Sequence, residues 1–271
     1  MNISERNYTS VQPPPGAAVL FIIPGAINFI ISLPTNAYTL WLIVNGPAGT
    51  KASELFALNM AVSEILNCLC SILAIVNSRI QIAALNLLVT FSFCFMNTGR
   101  PLFQCCISME RYLAVVHPVI FLKYKPLRYR LGCCGAVWLL VVGSGLISML
   151  LNGAFIYNFV YLAQCIILLC VMMFCCLAVL KALKRPGPGD GDREGTNKTK
   201  SKAFRTILII QVSMLVNYIP LILITSSSFL LNPMTQNISN TIGFSISTVT
   251  GVVQPLLYLH RVGKLPRIRA C

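Results

Sequence analysis

Three charged residues lie within one strongly apolar stretch of this chain. Arg100, Glu110 and Arg111 fall between Gly99 and Pro118. The two arginines are about 11 residues apart, which on an α-helix is ~16 Å of rise and almost a whole number of turns, so both guanidinium groups project from one face. An unpaired arginine in hydrocarbon costs about 3 kcal/mol on insertion scales, and it therefore normally marks a site with a partner. The groups around this face decide what the site does.

The overall composition predicts a membrane protein. Of the 271 residues, 56% are hydrophobic and only 10% are charged, and the mean hydropathy is +0.76. A soluble domain cannot bury that much apolar surface, whereas a polytopic membrane protein exposes it to lipid. Apolar runs of the ~20 residues that a spanning helix needs predict an all-α membrane protein, a seven-transmembrane helix bundle. Spans one to seven cover residues 17–45, 53–77, 81–116, 130–152, 155–184, 203–230 and 238–259.

The basic residues are distributed unevenly between the two sides of the membrane. The formal net charge is +14, from 21 Lys and Arg against 7 Asp and Glu. With the N-terminus outside, only Arg6 and Arg79 of these basic residues face outward, and Arg100 lies within the membrane. This positive-inside pattern predicts a multi-pass plasma-membrane protein with its N-terminus outside, attracted to anionic lipid of the inner leaflet. We expect no nucleic-acid partner, because such a protein would interleave its charge with a polar surface.

The spans divide the chain into an extracellular N-terminus, a seven-transmembrane domain and a cytoplasmic tail, which cover residues 1–16, 17–259 and 260–271. The tail is expected to begin as a short amphipathic helix on the inner interface. Asn2 and Asn7 stand in glycosylation sequons on the external side. Cys271 ends a basic tail, where S-acylation and an unmodified thiol are both open.

The sequence patterns of metal binding and catalysis are missing. Nearly all of the 12 cysteines lie within predicted spans, where they pack as small apolar side chains, and no aqueous loop shows zinc-ligand spacing. The 2 histidines, His117 and His260, both lie at the inner edge, and neither HExxH nor GxSxG occurs. We therefore expect no metal, no cofactor and no enzymatic activity.

Several short motifs occur in a specific order along the spans. They are Glu110-Arg111-Tyr112 in span three, Gln254-Pro255-Leu256-Leu257-Tyr258 in span seven, and Asn36, Trp138 and Pro220 in spans one, four and six. In this order and spacing the chain resembles a rhodopsin-like (class A) G-protein-coupled receptor over nearly its whole length. Gln254 replaces the asparagine that the family usually has in the span-seven motif. The residues that follow Tyr112 and the pattern of span six resemble the branch that holds nucleotide, protease-activated and lipid receptors.

The resemblance implies a receptor that transmits an extracellular ligand signal to a heterotrimeric G protein. In the family, the counterpart of Arg111 is held by its neighbouring acid at rest and contacts the G protein when span six swings outward. Glu110 and Arg111 would then be a partly hydrated pair whose partners can be exchanged. The alternative is an ordinary cluster of interfacial side chains. The expected coupling and switch residues are Glu110, Arg111, Tyr112, Pro220, Gln254, Pro255 and Tyr258, and residues 123–130 and 198–205 complete the inner surface.

Two places depart from the family pattern. The family usually has a cysteine at the outer start of span three, bonded to the second outer loop. Here Asn86 takes that place, and the loop is reduced to residues 152–154. The family's sodium pocket corresponds by motif spacing to Glu64, Arg100 and Gln254. We expect the Arg100 guanidinium to replace the sodium ion and to pair with the Glu64 carboxylate. The alternative is an Arg100 that is hydrated in a cavity without a fixed partner.

A ligand cavity is expected between the outer halves of spans three, five, six and seven, although packing between helices explains each candidate there equally well. No fixed charge lines this region, which favours a neutral or lipid-like ligand. The candidates are Phe95, Met96, Asn97, Tyr157, Tyr161, Tyr218 and Ser245. Two other functions stay open. One is a non-signalling heptahelical decoy or chaperone-like relative, which the lost disulfide fits. The other is a membrane transporter, for which no internal repeat is evident.

Overall fold

The regular structure is helical throughout the part of the chain that the computed structural model describes. That part comprises residues 23–47, 54–80, 82–151, 155–184, 209, 212, 214–227, 235, 238, 242–243, 245–246 and 251–262. The helices of spans one to five run Ile23–Val44, Leu55–Ile80, Ala83–Val116, Leu127–Leu151 and Phe155–Lys184. Helices in spans six and seven run Met214–Ser227 and Val253–Val262. Spans one, two, four and five contain helices long and apolar enough to cross a membrane.

Span three is a single helix of 34 residues, although its apolar run is long for one helix. At 1.5 Å per residue it is about 51 Å long, which exceeds the ~30 Å of a bilayer's hydrocarbon core. The helix therefore has room to carry Arg100 within the membrane and Arg111 near its inner end. The span-seven helix continues to Val262, beyond the predicted end of the span at residue 259. The rest of the predicted tail helix lies outside the described residues.

A short helix, Pro118–Tyr124, follows span three and was not predicted from the sequence. We call it the loop-two helix. Proline sets its first boundary. His117 lies before Pro118 and leaves the helical region, with φ −129° and ψ 65°, because a residue that precedes proline disfavours the α conformation. Pro118 then takes the first helical position, where its missing N–H costs nothing. At the other end, Lys125 keeps helical angles, with φ −61° and ψ −30°, although Pro126 follows it.

Span three lies at the centre of the described bundle, packed against spans two, four and five. Its face toward span four carries an aromatic cluster. The Trp138 ring lies 5.6 Å from the Phe95 ring and 5.4 Å from the Phe103 ring, measured between centroids. The Trp138 indole N–H donates to Asn59 Oδ1 of span two at 2.8 Å, so spans two, three and four are tied together.

Many large apolar side chains point away from the bundle. Leu139 and Leu150 of span four are 77% and 84% exposed, and Ile167 of span five is 62% exposed. Polar side chains point inward instead. Asn36 of span one is buried, and its amide donates to the Ser32 carbonyl at 2.9 Å. An apolar exterior around a polar interior is the arrangement that lipid, rather than water, requires.

Candidate functional site

The Arg100 guanidinium of span three lies against the Glu64 carboxylate of span two. Arg100 Nε donates to Glu64 Oε1 at 2.5 Å, and Nη2 donates to Oε2 at 2.7 Å. The two side chains are only 4% and 2% exposed. This is the bidentate geometry in which a planar guanidinium matches a carboxylate best. A positive charge therefore occupies the position next to the span-two acid.

Span seven closes this ion pair from a third side. Gly251 is buried there, and a Cβ atom added to it would lie 2.7 Å from Arg100 Nη2 and 3.0 Å from Glu64 Oε2. A side chain at position 251 would therefore collide with both charged groups. The Asn67 amide, on the next turn of span two, lies 3.5 Å from Glu64 Oε2. The side chain of Gln254, expected in this pocket, lies outside the described residues.

A second polar contact links spans three and six one turn from the ion pair. Tyr218 is 2% exposed, and its hydroxyl donates to Gln104 Oε1 at 3.0 Å. Its ring packs in an apolar cluster with Cys105 and Met172. Because Gln104 follows Arg100 by one helical turn, span three presents its guanidinium and its amide along one face, to spans two, six and seven.

At the inner end of span three, Glu110 forms an ion pair with Arg130 of span four, whose Nη2 donates to Glu110 Oε1. The Glu110 side chain is 14% exposed and that of Arg130 is 7% exposed. The sequence led us to expect Glu110 to pair with its neighbour Arg111 and to place Arg130 on the open inner surface. The second expectation was wrong, because Arg130 lies on the face of span four that packs against span three.

Arg111 itself is exposed at the end of span three, on the side where the chain's basic loops gather. The next residue, Tyr112, turns toward the helix break. Its hydroxyl lies 3.0 Å from His117 Nε2, and its ring stacks edge-on with the imidazole at 5.4 Å. The Phe174 ring of span five lies 5.7 Å from it. Tyr112 thus joins the inner ends of spans three and five and the start of the loop-two helix.

The residues proposed to line a ligand cavity have different surroundings. Phe95 packs between Phe91 and Trp138, toward span four. Tyr218 is closed into the core, as described above, and Tyr161 and Asn97 are each 8% exposed. Ser245 is half-buried. The side chains of Met96 and Tyr157 lie outside the described residues.

The structure describes only some of the remaining predicted site residues. In the switch motifs Pro220 and Tyr258 are half-buried and Pro255 is buried. Asn2, Asn7 and Cys271 lie outside the described residues. Over the part of the chain that is described, no group of three His, Cys, Asp or Glu side chains is placed to hold a metal ion.

Sequence reasoning missed Gly251, Gln104 and the depth of Arg130. Gly251 carried a usable signal, since it precedes Gln254 by three residues and so shares its helix face. Gln104 carried a similar one, four residues after Arg100. No such sequence signal marked Arg130, because an arginine that follows other basic residues looks the same in sequence whether it is buried or exposed.

Comparisons with known proteins find receptors of one family. The family profile described as 7 transmembrane receptor (rhodopsin family) matches residues 35–159. The mouse G-protein coupled receptor 183 is 27% identical over 242 residues, which cover 75% of this chain and 64% of that receptor. A rat purinoceptor is 23% identical over 256 residues, covering 79% of this chain and 69% of the purinoceptor. The human S-geranylgeranyl-glutathione receptor is 26% identical over 135 residues, covering 47% of this chain and 37% of that receptor.

The chain thus spans just under two thirds of the mouse receptor that it matches. The profile covers the second half of span one, spans two to four and the start of span five, and the longer alignments extend over most of the chain. Members of this family are receptors, not enzymes, and cross the membrane seven times. The helices, the buried polar interior and these matches together show a multi-pass membrane protein that is similar to receptors of the rhodopsin family.

Proposed function

We propose that this chain is a plasma-membrane receptor that couples an extracellular ligand to a heterotrimeric G protein. The observation that supports this most directly is the position of Arg111. It is exposed at the end of the central helix, next to the loop-two helix and its basic residues Lys123 and Lys125. A partner that docks there meets positive charge and apolar side chains together, since Val119 is 80% exposed and Leu122 is 63% exposed.

The proposed orientation has the N-terminus outside. Arg111, Lys123, Arg128 and Lys181 all lie at one end of the bundle, which the positive-inside rule assigns to the cytoplasm. We expect glycan on Asn7, and less on Asn2, and none on Asn197, whose sequon is predicted on the same side as Arg111. Glycosidase treatment of single Asn→Gln variants tests this. Glycan on Asn197 would reverse the orientation.

The proposed ligand is neutral or lipid-like. Arg100 and Glu64 are buried in the bundle interior, and their charges neutralise each other. This pair therefore leaves no net charge there to attract an ionic ligand. The relatives' names include a receptor for S-geranylgeranyl-glutathione, which is consistent with a ligand that carries a lipid group. Purinoceptors are also among the relatives, so a nucleotide is the competing class. Competition binding with both classes on purified protein separates them.

A third part of the proposal concerns the cation. We infer that the Arg100 guanidinium acts as a built-in cation, so that the span-two acid needs no sodium ion. The support is the bidentate contact with Glu64 and the Gly251 backbone that packs against both groups. Basal activity and stability should then be independent of sodium, in contrast to receptors that hold the ion.

The deciding experiment measures nucleotide exchange on purified G proteins. The chain is reconstituted in nanodiscs, and basal GTP-analogue loading is followed for each class of Gα subunit. We expect acceleration over empty nanodiscs that is lost in Arg111→Ala and retained in Lys181→Gln, which removes an exposed charge outside the proposed surface. Equal rates for Arg111→Ala and the unaltered chain, or no acceleration with any class, would refute the coupling and favour a non-signalling decoy.

A further inference from the structure

Arg130 contacts two elements besides its own helix. Its Nη2 donates to Glu110 Oε1 at the end of span three, and its guanidinium carbon lies 5.8 Å from the centre of the Phe121 ring in the loop-two helix. Only 7% of its side chain is exposed. A guanidinium over an aromatic ring is attracted to the ring face, and more strongly when both are shielded from water. Arg130 therefore connects span three, the loop-two helix and span four through one charged group.

The loop-two helix is tied to span four by two ring contacts, Phe121 with Arg130 and Tyr124 with Tyr129, whose ring centroids lie 5.3 Å apart. It has seven residues, and an isolated helix of that length is unstable in water. Its side chains divide into an inner and an outer set. Phe121 is half-buried, toward Arg130, whereas Val119 and Leu122 are 80% and 63% exposed. The contact at Phe121, the one made by a buried arginine, thus helps to determine how these exposed apolar side chains are presented.

We propose that Arg130 is a positioning residue for the partner-binding surface. It holds the loop-two helix against the end of span three through Phe121 and Glu110, so that the exposed apolar face of that helix and Arg111 keep one mutual orientation. This deepens the proposed function, because the partner that docks on the surface is taken to be the G protein. Lys181 of span five provides a contrast, since it is an exposed cation at the same end of the bundle.

The first test does not depend on any G protein. Amide hydrogen exchange is followed by mass spectrometry over residues 121–124 of the nanodisc-bound chain. In Arg130→Gln these amides should exchange about fivefold faster, because the helix opens locally once its anchor is gone. Arg130→Lys keeps a cation at both contacts and should stay within about twofold of the unaltered chain. Unchanged exchange in Arg130→Gln, or an equal rise in the control Lys181→Gln, would overturn the proposal.

The second test separates positioning from a loss of folded protein. Nucleotide-exchange rates are measured against G-protein concentration. Arg130→Gln should raise the half-saturating concentration about fivefold and leave the maximal rate nearly unchanged, since the docking surface is loosened while Arg111 remains. Arg130→Lys should restore the half-saturating concentration. A reduced maximal rate at an unchanged half-saturating concentration would contradict a positioning role.

The two tests fail in different ways. If the unaltered chain accelerates exchange on no G protein, the coupling proposal falls, and the amide measurement alone decides whether Arg130 holds the loop-two helix. If coupling is present but the amides of residues 121–124 exchange at the same rate in Arg130→Gln as in the unaltered chain, the positioning proposal is refuted and the coupling proposal stands.

Discussion

Two ion pairs of span three use the same chemistry at different depths. Glu64 and Arg100 are 2% and 4% exposed and meet through two hydrogen bonds, and the span-seven backbone covers them. Glu110 and Arg130 are 14% and 7% exposed at the inner end of the helix. The first pair cannot exchange its partners without breaking the contact between three spans. The second lies near water, where substitute partners are at hand. Burial, rather than charge, thus separates a fully enclosed pair from one that keeps partial access to water.

The largest effect should come from breaking the buried pair. Arg100→Ala and Glu64→Gln should each cost about 3–5 kcal/mol, because each leaves an uncompensated buried charge. The double variant should cost much less than the sum of the two. Thermal unfolding of detergent-purified protein and surface expression measure this, with Arg128→Gln as an exposed-arginine control. Additive losses, with no coupling between the two positions, would mean that Arg100 has no fixed partner.

Gly251→Ala should have the next largest effect. The new Cβ must push against Arg100 Nη2 and Glu64 Oε2, at a cost of about 1–3 kcal/mol. Gly132→Ala in span four is the matched control, since nothing lies within 4 Å of a Cβ there. It should be neutral, or stabilising by up to about 1 kcal/mol, because alanine favours helix. Equal responses of the two variants in melting experiments would show that span seven does not close the buried pair.

Arg130→Gln should lower the free energy of unfolding by less than the buried-pair variants, about 1–2 kcal/mol. Its partner Glu110 keeps some access to water, so the unpaired carboxylate is partly hydrated. Chemical or thermal unfolding measured beside Arg100→Ala tests the ranking. A loss as large as that of Arg100→Ala would remove the distinction between the two pairs.

Tyr218→Phe should have the smallest effect, about 1 kcal/mol, since it removes one hydrogen bond to Gln104 and preserves the ring packing. Tyr129→Phe serves as the control, because the hydrogen bond that it removes, from Arg128, is exposed to water and should change stability by no more than about 0.5 kcal/mol. A change in melting temperature no larger than that of Tyr129→Phe would indicate that the contact between spans three and six contributes nothing to stability.

Much of the helical framework could be predicted from the sequence. A segment in lipid must be apolar and must satisfy its own backbone hydrogen bonds, and a long apolar run is visible in the sequence. A long apolar run must become a helix there, and the observed helices of spans two to five begin and end within three residues of the runs. The loop-two helix escaped prediction. It is short and depends on tertiary contacts at Phe121 rather than on its own pattern.

Within the candidate site, the sequence predicted a specific contact only between charged residues in the apolar spans, where charged residues are rare. Glu64 and Arg100 are opposite charges in an apolar region, so their pairing suggested itself, and the structure has them in contact. Gly251 and Gln104 share helix faces with Gln254 and Arg100, but their contacts depend on how spans six and seven face span three, which sequence periodicity does not specify. Arg130 was wrongly assigned to the open inner surface. Counting the basic residues on each side of the membrane does not show how deeply any one of them is buried in the bundle.

The most direct test of the built-in cation is a comparison of melting in sodium chloride and in choline chloride. The unaltered chain should melt at the same temperature in both salts, because the guanidinium already occupies the acid's cation position. Arg100→Ala leaves Glu64 beside the Asn67 amide, whose oxygen has no partner in the described part of the chain, and oxygen ligands suit a hard cation. Sodium should therefore raise the melting temperature of Arg100→Ala, and Arg100→Ala/Glu64→Gln should lose that response. Sodium-dependent melting of the unaltered chain would contradict the account.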